Sequence, residues 1–203
     1  SLGVIYLSSY TTYPSRLLAE RILLEAEKCN PGPWGDHSRI CATCAQRIAE
    51  KCGMDGDKAY VLGLLHDIGR KFGVRHLGHV YDGYQYMSEL GYTEVARVCL
   101  THSFCVKTID AYIGKSDITP EQQSHLLEIL HGVEYDDYDL LIQLCDCLAG
   151  AGKIMDMEER MLDVQHRYGY YPLEKWNRNM ELKQYFQEKC GEDIYRIVCL
   201  EAR

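Results

Sequence analysis

Apolar residues recur at three- and four-residue spacing along most of the 203-residue chain. That is the pattern of helices that each bury one face. Residues 15–29 form the first such segment, stopped by the helix-breaking run Asn30-Pro31-Gly32-Pro33. Over about 36–52, Ile40, Cys41, Cys44, Ala45, Ile48, Ala49 and Cys52 share one face, and Gly53 ends the segment. The next segment, 57–68, is apolar all round between Ala59 and Leu65, which predicts a helix at the centre of the fold. A loop rich in glycine and basic residues is expected over 69–78. Further helices are expected at about 79–90, 93–105, 120–132, 136–150, 155–168 and 173–189, with a short one near 193–201. No Asn-Gly or Asp-Gly pair sits between alternating apolar runs, so hairpins are not expected and the class is all-α.

Three parts are expected along the chain: an N-terminal helix and lead-in over 1–35, a helical core over 36–150, and a helical extension over 151–203 packed on that core. The extension is more charged and aromatic, broken at Tyr168-Gly169-Tyr170-Tyr171-Pro172. Those tyrosines suit a nucleobase stack, but a cluster of this kind more often packs a terminal helix or a homodimer interface. No uncharged apolar run is long enough for a membrane span. Ser1–Tyr10 lacks the basic leader of a signal peptide, so the expected compartment is cytoplasmic. A net charge of −8 argues against a nucleic-acid polymer as partner and for a small ligand. The 10 cysteines are expected reduced. Cys41, Cys44, Cys52, Cys99 and Cys145 fall at core positions, and the Cys41-x-x-Cys44 spacing suits one helix face better than half a zinc site or a redox pair.

The candidate chemistry begins at His66-Asp67, a dipeptide that chance supplies readily and that needs context. Asp67 follows six uncharged residues, Tyr60–Leu65, with no Lys or Arg among them. A carboxylate in such surroundings needs a cation. Four other residues fall on faces expected to be buried. His37 aligns with Ile40 and Cys41, His79 with Gly83 and Tyr86, His102 with Val98 and Cys99, and Asp146 with Ile142 and Ala149. Imidazoles and carboxylates together suit one or two divalent ions of Fe, Mn, Zn, Ni or Co. A single histidine on an apolar face is more often a hydrogen-bonded core residue; the convergence of all of them favours metal. Trp34 is expected to pack, and His125, His131 and His166 have no comparable support.

The series His37, His66-Asp67, His79, His102, Asp146 resembles the ligand pattern of HD-domain metal-dependent phosphohydrolases. Gly63-Leu64-Leu65-His66-Asp67-Ile68-Gly69 resembles the family's HDIG form. The resemblance implies an HD-domain helical bundle over about 34–150. It implies that His37, His66, Asp67 and Asp146 hold one ion and that His79 and His102 complete a second, bridged by Asp67. His76 is the rival for the His79 position. Many HDIG proteins carry Lys where this chain has Arg70, which keeps a charge but cannot act as neutral lysine.

The expected activity is hydrolysis of a nucleotide or small phosphorylated metabolite by metal-activated water, with Asp67 and Arg70 catalytic. Arg70, Lys71, Arg75, His76 and Lys107 form a basic island expected to bind the phosphate. The same ligands resemble those of HD-type di-iron oxygenases. A non-catalytic nucleotide-sensing module is the third reading.

Overall fold

The computed structural model describes residues 11–200. The described chain is all-helical, with a single isolated bridge, Ala149 to Ile154, as its only extended pairing. The helices are α1 (Arg16–Cys29), α2 (Trp34–Lys51), α3 (Gly56–Leu65), α4 (Leu77–Glu89), α5 (Thr93–Thr101), α6 (Pro120–Gly132), α7 (Asp137–Leu148), α8 (Met157–Tyr168), α9 (Leu173–Cys190) and α10 (Ile194–Ile197). Short 3₁₀ turns cover Ile68–Phe72 and Ile109–Ala111.

α3 is the hub that its sequence predicts. Every residue from Ala59 to Leu65 is buried, and the helix packs against α1, α2, α5 and α7. Burying a leucine such as Leu62, Leu64 or Leu65 stabilises the fold by about 1.5–3 kcal/mol each. α2 reaches α3 most closely at Gly63, where a Cβ would lie 2.9 Å from the Ala42 Cα. Glycine there brings the end of α3 against the middle of α2. A second, smaller core forms from Leu77, Val80, Leu100, Phe104, Tyr112, Leu126 and Leu130, where α4, α5 and α6 meet. The residues after 151 join the main core through Met157, Met161, Leu182, Phe186, Ile194 and Val198.

The boundaries differ from expectation where the backbone must turn toward the centre of the molecule. α3 ends at Leu65, with His66 as its C-cap, and the expected loop begins instead as the 3₁₀ turn. α5 ends at Thr101 and leaves His102 as its C-cap. α2 starts two residues before Asp36, at Trp34. The last helix is shorter than 193–201. Cys41, Cys44, Cys99 and Cys145 are buried and Cys52 half-buried, all as free thiols. The Ser1–Tyr10 leader reading lies outside the described residues. Among them, no helix is long and apolar enough to cross a membrane.

Candidate metal centre

Five helix ends converge beside α3. The first turns of α2 and α4 bring His37 and His79; the ends of α3 and α5 bring His66 and His102; the last turn of α7 brings Asp146. His66, Asp67, His79 and His102 are buried polar residues. Around one point, His37 Nε2 stands 3.3 Å from His66 Nε2 and 2.9 Å from Asp146 Oδ1. His66 Nε2 is also 3.3 Å from Asp146 Oδ1. Asp67 Oδ2 lies 3.7 Å from both His37 Nε2 and His66 Nε2. The other oxygen, Asp67 Oδ1, is 3.2 Å from both His79 Nε2 and His102 Nε2, which are 3.4 Å apart. Donors about 2.0–2.2 Å from one ion are about 3–3.5 Å from one another at tetrahedral or octahedral angles. Both sets have that scale, and Asp67 belongs to both.

The histidine tautomers explain why these atoms face one another. Each imidazole sets Nδ1 against a backbone carbonyl: His37 on Ala149 at 2.9 Å, His66 on Gly63 at 2.6 Å, His102 on Cys99 at 2.8 Å, and His79 on His76. Nδ1–H donates in each case, which leaves every Nε2 lone pair aimed at the centre. Two such pairs of lone pairs cannot hydrogen-bond each other. A cation resolves the conflict, so the donor set fits bound divalent metal. His79, not His76, faces Asp67 and His102, and the His76 carbonyl orients the His79 ring.

The HD domain family model matches residues 34–151, more than half of the chain. The chain belongs to the HD domain family. Comparisons with curated proteins and with solved structures return no match. The matched segment ends just after Asp146 and just before α8. Metal-dependent hydrolysis is the general activity of this family, and the His–Asp cluster accords with it.

Electrostatics in this HD domain follow from burial and from the two carboxylates. Burial alone would push His66 down. The Cys41 sulfur and the Asp67 and Asp146 carboxylates outweigh it and hold His66 well above the ordinary histidine value. Burial, aided by the Arg70 charge, lowers His79 to about 4, so that ring is neutral at physiological pH. Burial opposes ionisation of Asp67, but Arg70 and His66 overcome it and hold the carboxyl well below its ordinary range. His37 and His66 do the same for Asp146.

The ligands open onto a cavity of about 640 Å³. His37, Asp67, His79, His102 and Asp146 reach its surface, as does Arg70, whose Nε donates to Asp67 Oδ2 at 3.1 Å. The rest of the expected basic island is engaged elsewhere, outside the lining. Lys71 donates to the Tyr86 hydroxyl at 3.3 Å. Arg75 pairs with Asp82 at 2.7 Å, and the His76 backbone N–H donates to Asp117. Lys107 donates to the Val133 carbonyl. Gly73 and Val74 of the same loop reach the cavity, but the Lys71, Arg75 and Lys107 side chains have acceptors of their own outside it.

Other cations take their place. Arg160, Arg167 and Lys175, from α8 and α9, line the cavity with Arg70. The signal for the two α8 arginines in the sequence is the stripe Arg160, Asp163, Val164, Arg167, one face of α8 at helical spacing; Lys175, on α9, has none. Trp34 both packs and walls the cavity, donating Nε1–H to the Asn30 carbonyl. Of the tyrosine cluster, Tyr168 and Tyr171 reach the lining.

Proposed function

We propose that this HD domain is a phosphomonoesterase or phosphodiesterase for a nucleotide or small phosphorylated metabolite. The observation that carries the reading is the sharing of Asp67 between two histidine clusters beneath a cation-lined cavity. His37, His66, Asp67 and Asp146 would hold one ion; Asp67, His79 and His102 would hold the other. Such ions, when bound, polarise a phosphoryl oxygen and bring bound water into the hydroxide range near neutral pH.

The chain's own groups do the rest. Four backbone carbonyls fix the imidazole rings with each Nε2 turned toward the centre. Arg70 spends Nε on Asp67, and its terminal amino groups remain donors for a phosphoryl oxygen. Its guanidinium stays charged at any working pH, so it serves as an electrostatic clamp rather than a proton carrier. Trp34, Tyr112 and Tyr171 supply aromatic surface to the cavity wall, suited to the apolar part of a substrate.

The test is a panel of phosphomonoesters and phosphodiesters under anaerobic conditions, with Mn²⁺, Fe²⁺, Co²⁺ or Ni²⁺ supplied. Phosphate release, lost in Asp67→Ala, is the expected result. Oxygen consumption dependent on an organic substrate, with no phosphate released, would replace this reading with an oxygenase. Nucleotide binding with no turnover across the panel would replace it with a sensing module.

A further inference from the structure

The cavity has a second charged wall that the metal centre does not explain. The matched family segment ends at residue 151, and the wall comes from helices beyond it. Arg167 and Asp163 both reach the lining and neutralise each other at 3.2 Å. Arg160 and Lys175 remain. Arg160 spends Nε on the neutral carbonyl of Ala149 at 3.2 Å, and among the described residues neither cation is paired with a carboxylate. Both are half-buried. Unneutralised cations facing a cavity are unusual in a chain of net charge −8, where carboxylates are abundant.

Their placement is specific. Arg160 sits beside His37, because both bond the same Ala149 oxygen. Lys175, from α9, lines the same cavity as Cys147 and Asp146 at the end of α7. Arg70 flanks the centre on the Asp67 side, so it is positioned for the phosphoryl group that reacts. The α8–α9 cations are in excess of what that one group needs.

We propose that Arg160 and Lys175 form a second anion subsite, so that the substrate carries a further phosphoryl group beyond the one that reacts. The inference rests on the hydrolase reading for its substrate, but the subsite itself is a matter of binding. Arg160 presents a planar fork and Lys175 a mobile point charge, a combination suited to the several oxygens of a terminal phosphate.

Calorimetric binding to the metal-loaded protein, with free metal removed, compares AMP with ADP and orthophosphate with pyrophosphate. The doubly phosphorylated member of each pair binds about tenfold tighter or more, as expected for an added charge-assisted contact. Lys175→Gln removes most of that preference, and Lys175→Arg restores it. Lys175 is half-buried rather than in the core, and an unchanged melting temperature confirms that each variant folds. No preference in the wild type, or a preference unaltered by Lys175→Gln, overturns the proposal. Failure of the hydrolase reading is separate: it appears as no phosphate release from any substrate, whatever the affinities.

Discussion

His37 and Arg160 donate to the same oxygen, the carbonyl of Ala149, at 2.9 and 3.2 Å. A proposed metal ligand on α2 and a cation on α8 are thereby tied through the end of α7. The shared carbonyl sets the His37 tautomer, and Arg160 helps to hold that carbonyl in place. Arg160→Ala is expected to weaken metal affinity at the His37 cluster by up to about tenfold, the low end for groups that orient ligands. Metal titration followed by calorimetry checks this. An affinity equal to wild type would mean that Ala149 is held well enough without it.

Gly69 is the point where the 3₁₀ turn passes under α4. A Cβ there would lie 1.9 Å from the His79 carbonyl oxygen and 2.6 Å from the Gly83 nitrogen. Neither backbone atom can yield without moving α4. Gly69→Ala is therefore expected to cost about 3 kcal/mol, the upper end for overpacking. It should also displace His79 and lose the ion held with His102 before the ion held by His37. Denaturant unfolding and metal stoichiometry read the two effects separately.

The fold was largely legible in the chain because its helices carry strong apolar stripes and its breaks carry Pro or Gly. Asn30-Pro31-Gly32-Pro33 lies between α1 and α2, and the all-apolar run Ala59–Leu65 proved to be the buried hub. The convergence of His37, His66, Asp67, His79, His102 and Asp146 was also legible, since each carries an ionisable group at a position expected to be buried. The cations that line the cavity were not. Sequence proximity to Asp67 singled out Lys71, Arg75 and His76, but direction in space depends on how the turn after Arg70 runs. Arg160 and Lys175 lie far along the chain, and only tertiary packing brings α8 and α9 to the cavity.

Asp117 anchors the start of α4, one turn before His79. Its carboxylate accepts from the backbone N–H groups of His76 and Gly78, both at 2.7 Å. Burial is the largest single influence and opposes its ionisation, but these two hydrogen bonds, with the nearby Arg75 charge, together prevail and lower its pKa. A carboxyl whose folded value is depressed stabilises the fold above its unfolded value. That contribution disappears as pH falls through the folded value. Asp117→Ala is expected to cost about 1 kcal/mol at pH 7, kept modest by exposure to solvent. The difference from wild type should shrink below about pH 4. Thermal unfolding across pH checks it; a constant difference down to pH 3 would contradict the role.

The two clusters should respond differently to protons. Metal and proton compete for Nε2, and the raised pKa of His66 means that binding at the His37 cluster must expel a proton. Affinity there should rise with pH between 6 and 8. The low value of His79, about 4, means that its lone pair is already free over that range. Proton release measured in two buffers of different ionisation enthalpy separates the two sites. Identical pH dependence at both would show that the clusters are not distinguished in this way.

In the proposed centre Asp67 would serve two ions at once, one through each carboxylate oxygen. The direct measurement is elemental analysis of the purified wild type and of Asp67→Ala after saturation with Mn²⁺ and removal of the excess. Two ions per chain in the wild type, with loss of both or retention of only weakly bound metal in the variant, is the predicted result. Equal metal content in the two proteins, or a wild type that retains no transition metal, would contradict it.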